Sequence, residues 1–181
     1  GNSVCSFTDN GRIWLVDRDY ERQNAERHNM IVIQKNGSFT APEPFAQIKF
    51  IEQAGEAVFA VLSSKNYNGT NWTRSVLWSK EDFYLFGDEV KIRDSANYMV
   101  ECLWRTLGET KFENSTFEVT QKGNEKFFIY NLTRNESRMK QEQDYGETYW
   151  SRYPYAEPVL KVMRQREVGR YGKDDIISFA N

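Results

Sequence analysis

Histidine is almost absent from this 181-residue sequence, which has only His28, and its two cysteines, Cys5 and Cys102, are the only thiols. That scarcity excludes a zinc finger, a Cys-x-x-Cys redox pair and any multi-histidine metal site built by the chain alone. No Gly-x-Ser-x-Gly turn and no glycine-rich phosphate loop occurs. With the one histidine far in sequence from either cysteine, a nucleophilic triad has no local support. Neither sign of charge dominates: 24 Lys and Arg against 26 Asp and Glu leave a formal charge of -2. This argues against a nucleic-acid-binding face or a polybasic membrane patch. No run approaches the roughly 20 apolar residues of a membrane-spanning helix, and the first residues lack a basic-then-apolar signal pattern. Proline is also rare, at four residues, and no Pro/Ser linker divides the chain, so residues 1–181 read as a single domain. The cysteines sit in apolar-alternating runs and read as buried thiols acting as small hydrophobes, with one disulfide as the alternative.

What is abundant is aromatic and β-branched. Aromatic residues make up 15% of the chain, which argues against disorder, and a chain of this length can bury roughly 70% of its unfolded surface. Short runs of such residues follow one another from end to end, separated by Gly, Asn, Asp and Pro clusters, with hardly any helical periodicity. They predict strands over 4–7, 12–16, 30–34, 45–52, 57–63, 73–79, 83–92, 98–107, 116–121, 126–131, 158–168 and 176–180. The implied fold class is all-β: a large antiparallel two-sheet β-sandwich. Asn36-Gly37 and Lys122-Gly123-Asn124 can supply the positive φ of tight hairpin turns. Ala46, Ile48 and Phe50 share one strand face, expected to be core, while Gln47 and Lys49 share the solvent face. Met30–Ile33 and Ala57–Leu62 are apolar on both faces, as in central strands. The charged stretch from Arg134 to Tyr155 breaks this rhythm and reads as a long loop. Asn36, Asn68, Asn71, Asn114, Asn131 and Asn135 each begin an Asn-x-Ser/Thr sequon, which suggests secretion, or else follows from the concentration of Asn, Gly, Ser and Thr in turns.

The first forty residues carry the most specific pattern: Asn10-Gly11-Arg12-Ile13-Trp14-Leu15-Val16-Asp17-Arg18-Asp19-Tyr20, then Arg27-His28-Asn29-Met30-Ile31-Val32-Ile33 and Asn36-Gly37. A strand, Asp-x-Asp-Tyr, a short loop, His-Asn, an apolar strand and a turn, in that order, resemble the start of the C-terminal β-sandwich region of heparinase II/III-like polysaccharide lyases. Arg74-Ser75-Val76-Leu77-Trp78 leading to Tyr84-Leu85-Phe86-Gly87-Asp88, and Val100–Leu107 with Trp104-Arg105, resemble later strands of the same region. The resemblance covers most of the chain. It implies a domain derived from a longer chain, bacterial and exported to the periplasm or beyond the cell, with a helical toroid domain upstream and the active site between the two. The partners implied are a uronate-containing polysaccharide such as a glycosaminoglycan, and that toroid; no nucleic acid and no membrane span is expected.

The chemistry the resemblance implies is β-elimination: the uronate carboxylate is neutralised, a base removes the C5 proton and an acid protonates the leaving oxygen. The main base and the neutralising residues would come from the toroid, so the isolated chain is expected to be inactive. Tyr20 and His28 are this chain's acid–base candidates, although a tyrosine at a strand end also serves as packing. Asp17 and His28 match two ligands of a structural zinc found in some members. The third would be a histidine of a His-x-His-x-Asp segment placed just before the stretch matching Gly1-Asn2-Ser3, so zinc is expected to bind weakly. The alternatives are a turn residue for Asp17 and a hydrogen-bonded strand-start residue for His28. Arg74, Trp104, Arg105, Trp150 and Arg152 are candidate substrate contacts. The first three also suit a structural cation–π arrangement, and the aromatic cluster around Trp150 also suits docking. The rival function is a stand-alone carbohydrate-binding or scaffold sandwich without catalysis.

Overall fold

The computed structural model describes residues 3–17, 24–42, 45–80, 83–133, 140–144 (backbone) and 160–181. Tyr20, Trp150 and Arg152 lie outside these, as does most of 134–155. Of that stretch, read as loop from its charge density, Lys140–Asp144 is instead a strand paired in register with Leu160–Arg164.

The described residues form two large antiparallel sheets and one small one. The first contains β1 (Ser6–Asp9), β2 (Arg12–Val16), β3 (Ile31–Lys35), β4 (Ser38–Phe39), β9 (Ala96–Leu107), β13 (Lys140–Asp144) and β14 (Leu160–Tyr171). The second runs in the order β15 (Ile176–Ala180), β8 (Phe83–Ile92), β7 (Thr70–Ser79), β6 (Ala57–Tyr67), β5 (Gln47–Ala54). The third is a meander of β10 (Glu109–Glu113), β11 (Thr116–Gln121) and β12 (Glu125–Tyr130). Among the described residues the only helical element is a 3₁₀ turn, Ala25–Arg27.

β9 is the spine of the first sheet. Its whole length pairs with β14 on one side. On the other side its first half pairs with β3 and its second half meets β2 at Leu15↔Thr106. Alternation along β9 divides two layers of packing. Val100, Cys102 and Trp104 face Trp72, Val90, Ile92, Ile177 and Phe179 of the second sheet, forming the main core with Ile31, Ile33, Phe117 and Val119. Leu103 points the other way, onto Val32 and Val162. Met30–Ile33 are accordingly buried on both faces, as their composition predicts.

The second sheet departs from the expected pattern. All of β5 is exposed, with Ile48 at 64% and Phe50 at 44%, and Ala57–Leu62 are only partly covered. Two physical reasons emerge. β5 is the sheet's edge strand, and a bulge at Lys49, between the pairs Ile48↔Leu62 and Phe50↔Val61, breaks the two-residue alternation on which the core assignment of Ala46, Ile48 and Phe50 rested.

Turn chemistry follows the sequence. Asn36 and Gly37 both have positive φ between β3 and β4, as do Gly123 and Asn124 between β11 and β12. Asn68 and Asn114, sequon asparagines like Asn36, also hold positive φ at hairpin turns, which gives these three a local structural reason to be asparagine. Cys102 is fully buried; Cys5 is exposed, against expectation: it precedes β1, where the chain is tied by its main chain, through the bridge Val4↔Asn29 and the Asp17 N–H that donates to the Cys5 carbonyl, while the thiol faces outward. Both thiols are free.

Gly108, which joins β9 to the small sheet, has φ +134°, and a Cβ there would lie 2.7 Å from the Thr120 carbonyl oxygen. Strain and collision both follow from any side chain, so Gly108→Ala is expected to cost about 2–4 kcal/mol in urea unfolding. A loss below about 0.5 kcal/mol would contradict this packing of the third sheet on the first.

Candidate functional site

Two polar clusters join where β2 and β3 both reach β9. The outer one is the pair Asp17–His28. Asp17 follows the last residue of β2 and His28 follows the 3₁₀ turn before β3, and the two meet although they are eleven positions apart in sequence. His28 Nδ1 lies 2.9 Å from Asp17 Oδ2, with side-chain exposures of 17% and 9%. The other carboxylate oxygen accepts the main-chain N–H of Asn29 at 3.1 Å. The two side chains that the resemblance names as metal ligands thus stand side by side.

The inner cluster centres on Arg74 of β7 and Asp88 of β8, directly paired in register. Arg74 Nε and Nη2 donate to Asp88 Oδ1 and Oδ2 at 2.8 and 2.9 Å, a bidentate fork, and the Trp72 indole N–H donates to Oδ1 at 2.7 Å. Arg74 Nη1 donates to the Asn29 carbonyl at 3.0 Å. The guanidinium carbon lies 5.2 Å from the Trp72 ring centre, 5.6 Å from Phe86 and 5.3 Å from Trp104. Burial would lower the pKa of Arg74, but the Asp88 carboxylate outweighs it and holds the guanidinium above its ordinary value. The same burial, reinforced by Asp88, pushes the Cys102 thiol well up, so it stays protonated and points its sulfur at Asp88 Oδ2 from 3.9 Å.

Of the candidate substrate contacts, Arg74, Trp104 and Arg105 are each 1% exposed. Arg74 and Trp104 form the cation–π contact that was the structural alternative. Arg105 cannot join them, because its neighbour in the strand points to the opposite face; its Nη1 donates instead to the Glu26 carbonyl at 3.2 Å. None of the three presents a face to a sugar chain in this structure. No role was expected for Asn29, Asp88 or Glu101, although the first two stand in the matched motifs. Glu101, buried on the outer face of β9, accepts from Arg164 at 3.0 Å and Arg166 at 2.6 Å. A signal for Asp88 did exist: Arg74 and Asp88 put opposite charges inside neighbouring hairpin strands, and a single charge on an otherwise apolar strand face usually has a partner.

Zinc is the metal that the family resemblance implies. A carboxylate and an imidazole suit it chemically, and tetrahedral legs of about 2.0–2.1 Å would set the two donor atoms about 3.3 Å apart, a small opening from 2.9 Å. They supply half a shell: among the described residues no group of three or more potential ligands converges.

A groove of about 770 Å³ opens on another side of the main core, lined by rings that include Phe7, Trp14, Trp78, Tyr84 and Phe127. Trp78 and Tyr84 stack at 5.9 Å and 9°, and Trp14 and Phe127 at 5.7 Å and 23°.

Known structures of the same shape identify the architecture. Over 94% of its length the chain superposes on the heparan sulfate lyase HepC from Pedobacter heparinus, with a TM-score of 0.66 and 14% identity. A heparinase III gene product with methylated lysines matches over 97% of the chain, with a TM-score of 0.71 and 14% identity. The likeness is one of fold. It bears out the resemblance to the lyase β-sandwich read from the strand motifs. The chain spans 28% of the length of each of these two proteins. No protein-family model and no curated protein matches the sequence.

Because the Arg74–Asp88 pair is sealed from water, removing one partner strands the other. Asp88→Ala is expected to lose about 3–5 kcal/mol in chemical unfolding, whereas replacing both with apolar residues of similar volume loses far less. A loss under about 1 kcal/mol for the single variant would show that the pair is solvated.

Proposed function

We propose that this chain is the β-sandwich part of a heparinase II/III-like polysaccharide lyase, acting by β-elimination on a uronate-containing polysaccharide, and that it is inactive by itself. The fold likeness to heparinase III structures over nearly the whole chain carries the reading. The partly exposed Asp17–His28 pair supports it: the chain's one imidazole stands beside a carboxylate that fixes its orientation, the arrangement an acid–base group needs. Elimination also needs a group that neutralises the uronate carboxylate, and Arg74 and Arg105 are buried in the fold rather than offered for that work. That role falls to a wall of the cleft outside this chain, which fits its 28% share of the matching lyases. Tyr20 remains the second acid–base candidate, and Trp150 and Arg152 the remaining candidate contacts to sugar. An exported protein, periplasmic or extracellular, is the setting in which such a polysaccharide is met.

When bound, zinc would serve as a structural tie. Asp17 and His28 would hold it, joining the end of β2 to the start of β3, with the rest of its shell supplied from elsewhere. A non-catalytic sugar-binding sandwich is the second reading, favoured by the aromatic groove, whose ring faces match the C–H faces of pyranoses.

Absorbance of the unsaturated uronate product, measured with heparan sulfate, chondroitin and alginate, tests the lyase reading. Residues 1–181 alone are expected to give none, and a chain extended through an upstream domain to give turnover, since elimination requires base, acid and neutralising group held together. Turnover by residues 1–181 alone would contradict the reading. No turnover by the extended chain, with sugar binding retained, would favour the second reading. For the metal, calorimetry is expected to show weak zinc binding that disappears in His28→Ala; tight binding that survives the substitution would refute the assignment of these ligands.

A further inference from the structure

Three turns of this chain share one dipeptide: Asn10-Gly11, Asn36-Gly37 and Asn68-Gly69. In each, both residues hold positive φ, as in the two-residue hairpin turn that favours Asn-Gly. The same dipeptide is open to a spontaneous reaction. The Gly main-chain nitrogen can bond to the Asn side-chain carbon Cγ, because Gly has no Cβ to stand in the way. The Cγ–Nδ2 bond then breaks, the side-chain nitrogen leaves as ammonia with the proton the Gly nitrogen gave up, and a cyclic imide remains. Water opens the imide at either carbonyl, leaving aspartate or isoaspartate. Attack requires the Asn backbone to rotate out of its turn conformation, so whatever holds the turn closed sets the rate.

The three turns are held very differently. Asn68 Nδ2 donates to the Ile33 and Ser38 carbonyls at 3.0 and 2.9 Å, and its Oδ1 accepts from Thr40 Oγ1 at 3.3 Å. The Gly69 carbonyl accepts the Arg93 N–H at 2.9 Å. Asn36 N–H donates to the Asn97 carbonyl at 2.8 Å, and Asn36 Oδ1 accepts the Asn97 N–H at 3.1 Å. Asn10 has nothing comparable: in its exposed turn, Nδ2 reaches only the neighbouring Asp9 Oδ2, 3.2 Å away. The turn tips the edge strand β1, whose ladder with β2 is interrupted between Phe7 and Thr8, so only Thr8↔Ile13 and Asp9↔Arg12 lie between the break and the turn. Opening this tip disturbs two pairs, whereas opening either other turn breaks bonds to a distant part of the chain.

We propose that Asn10 is the residue at which the folded chain modifies itself, and that the isoaspartate product frees β1. The product puts a carboxylate beside Asp9 where an N–H donor stood, turning attraction into repulsion. Isoaspartate also adds a main-chain carbon to a turn whose length fixes the strand register. β1 carries Phe7, which packs on Tyr84 at 5.0 Å and Phe127 at 5.3 Å, so the change reaches one wall of the aromatic groove. This goes beyond the lyase reading and stands without it, because no polysaccharide or metal enters the argument.

The three sites serve as one another's controls. The full 181-residue chain is incubated in mildly alkaline buffer, folded and in guanidinium chloride, and peptide mapping by mass spectrometry follows each asparagine. In the folded chain Asn10 is expected to convert first, with Asn36 and Asn68 at least about tenfold slower, a factor that two or three ordinary hydrogen bonds supply. In denaturant the three rates are expected to converge. Equal rates in the folded chain, or the same bias toward Asn10 in denaturant, would overturn the assignment. The isoaspartate form, separated by its added charge, is then compared with the unmodified chain by amide hydrogen exchange. Amides of β1 are expected to exchange at least severalfold faster while those of β9 stay protected. Unaltered exchange in β1 would refute its release.

Discussion

A charge buried with no access to water has to be answered within the protein, and this sandwich is arranged around one such answer. Arg74 and Asp88 are adjacent in the second sheet, yet the guanidinium extends across the core to the first sheet, where it meets Trp104 and the Asn29 carbonyl. Apolar contacts between two sheets tolerate sliding and repacking, since dispersion is nearly directionless. A forked ion pair with an indole N–H on one oxygen and a carbonyl on the remaining guanidinium edge does not, because each donor has a fixed direction. The pair therefore sets how the sheets lie on one another more than it adds net stability.

From that point the geometry passes outward in short steps. The carbonyl that Arg74 holds belongs to Asn29, and Asn29 closes the gap where β9 changes partner from β3 to β2. Asp17 and His28 flank that residue in space. A surface pair of two side chains would ordinarily pay rotamer entropy to hold one geometry. Here Asp17 is held by the main chain of a buried residue, so much of that ordering is already in place before the imidazole docks. The solvent-facing chemistry of the molecule thus inherits its precision from the core.

Much of this was legible in the sequence because strands and hairpins are written in local code. Arg12–Val16, Phe83–Ile92, Thr116–Gln121 and Ile176–Ala180 have the predicted bounds, and Asn36-Gly37 makes the predicted turn. The closeness of Asp17 and His28 also followed from matched motifs. The use of Arg74 and Arg105 did not, since the sequence shows a charge but not whether a partner waits across a core. Glu109–Glu113 was missed because its residues are mostly polar and exposed, so its pairing with β11 leaves no burial pattern. The exposure of Ile48 and Phe50 was hidden because both faces of the edge strand β5 are exposed, which an apolar–polar alternation does not reveal. Asn29 stood in the matched His-Asn motif, but its role was not legible, because it comes from a fork in strand pairing that only the assembled sheet contains.

The central claim is that the Arg74–Asp88 cluster is an integral, water-excluded joint between the sheets. Native-state hydrogen exchange of the Trp72 indole N–H, which donates to Asp88, addresses it directly. The account predicts that this proton exchanges only through global unfolding, with the same free energy and denaturant dependence as the slowest amides of β9. Exchange through a low-energy, denaturant-independent opening, while those amides stay protected, would contradict it.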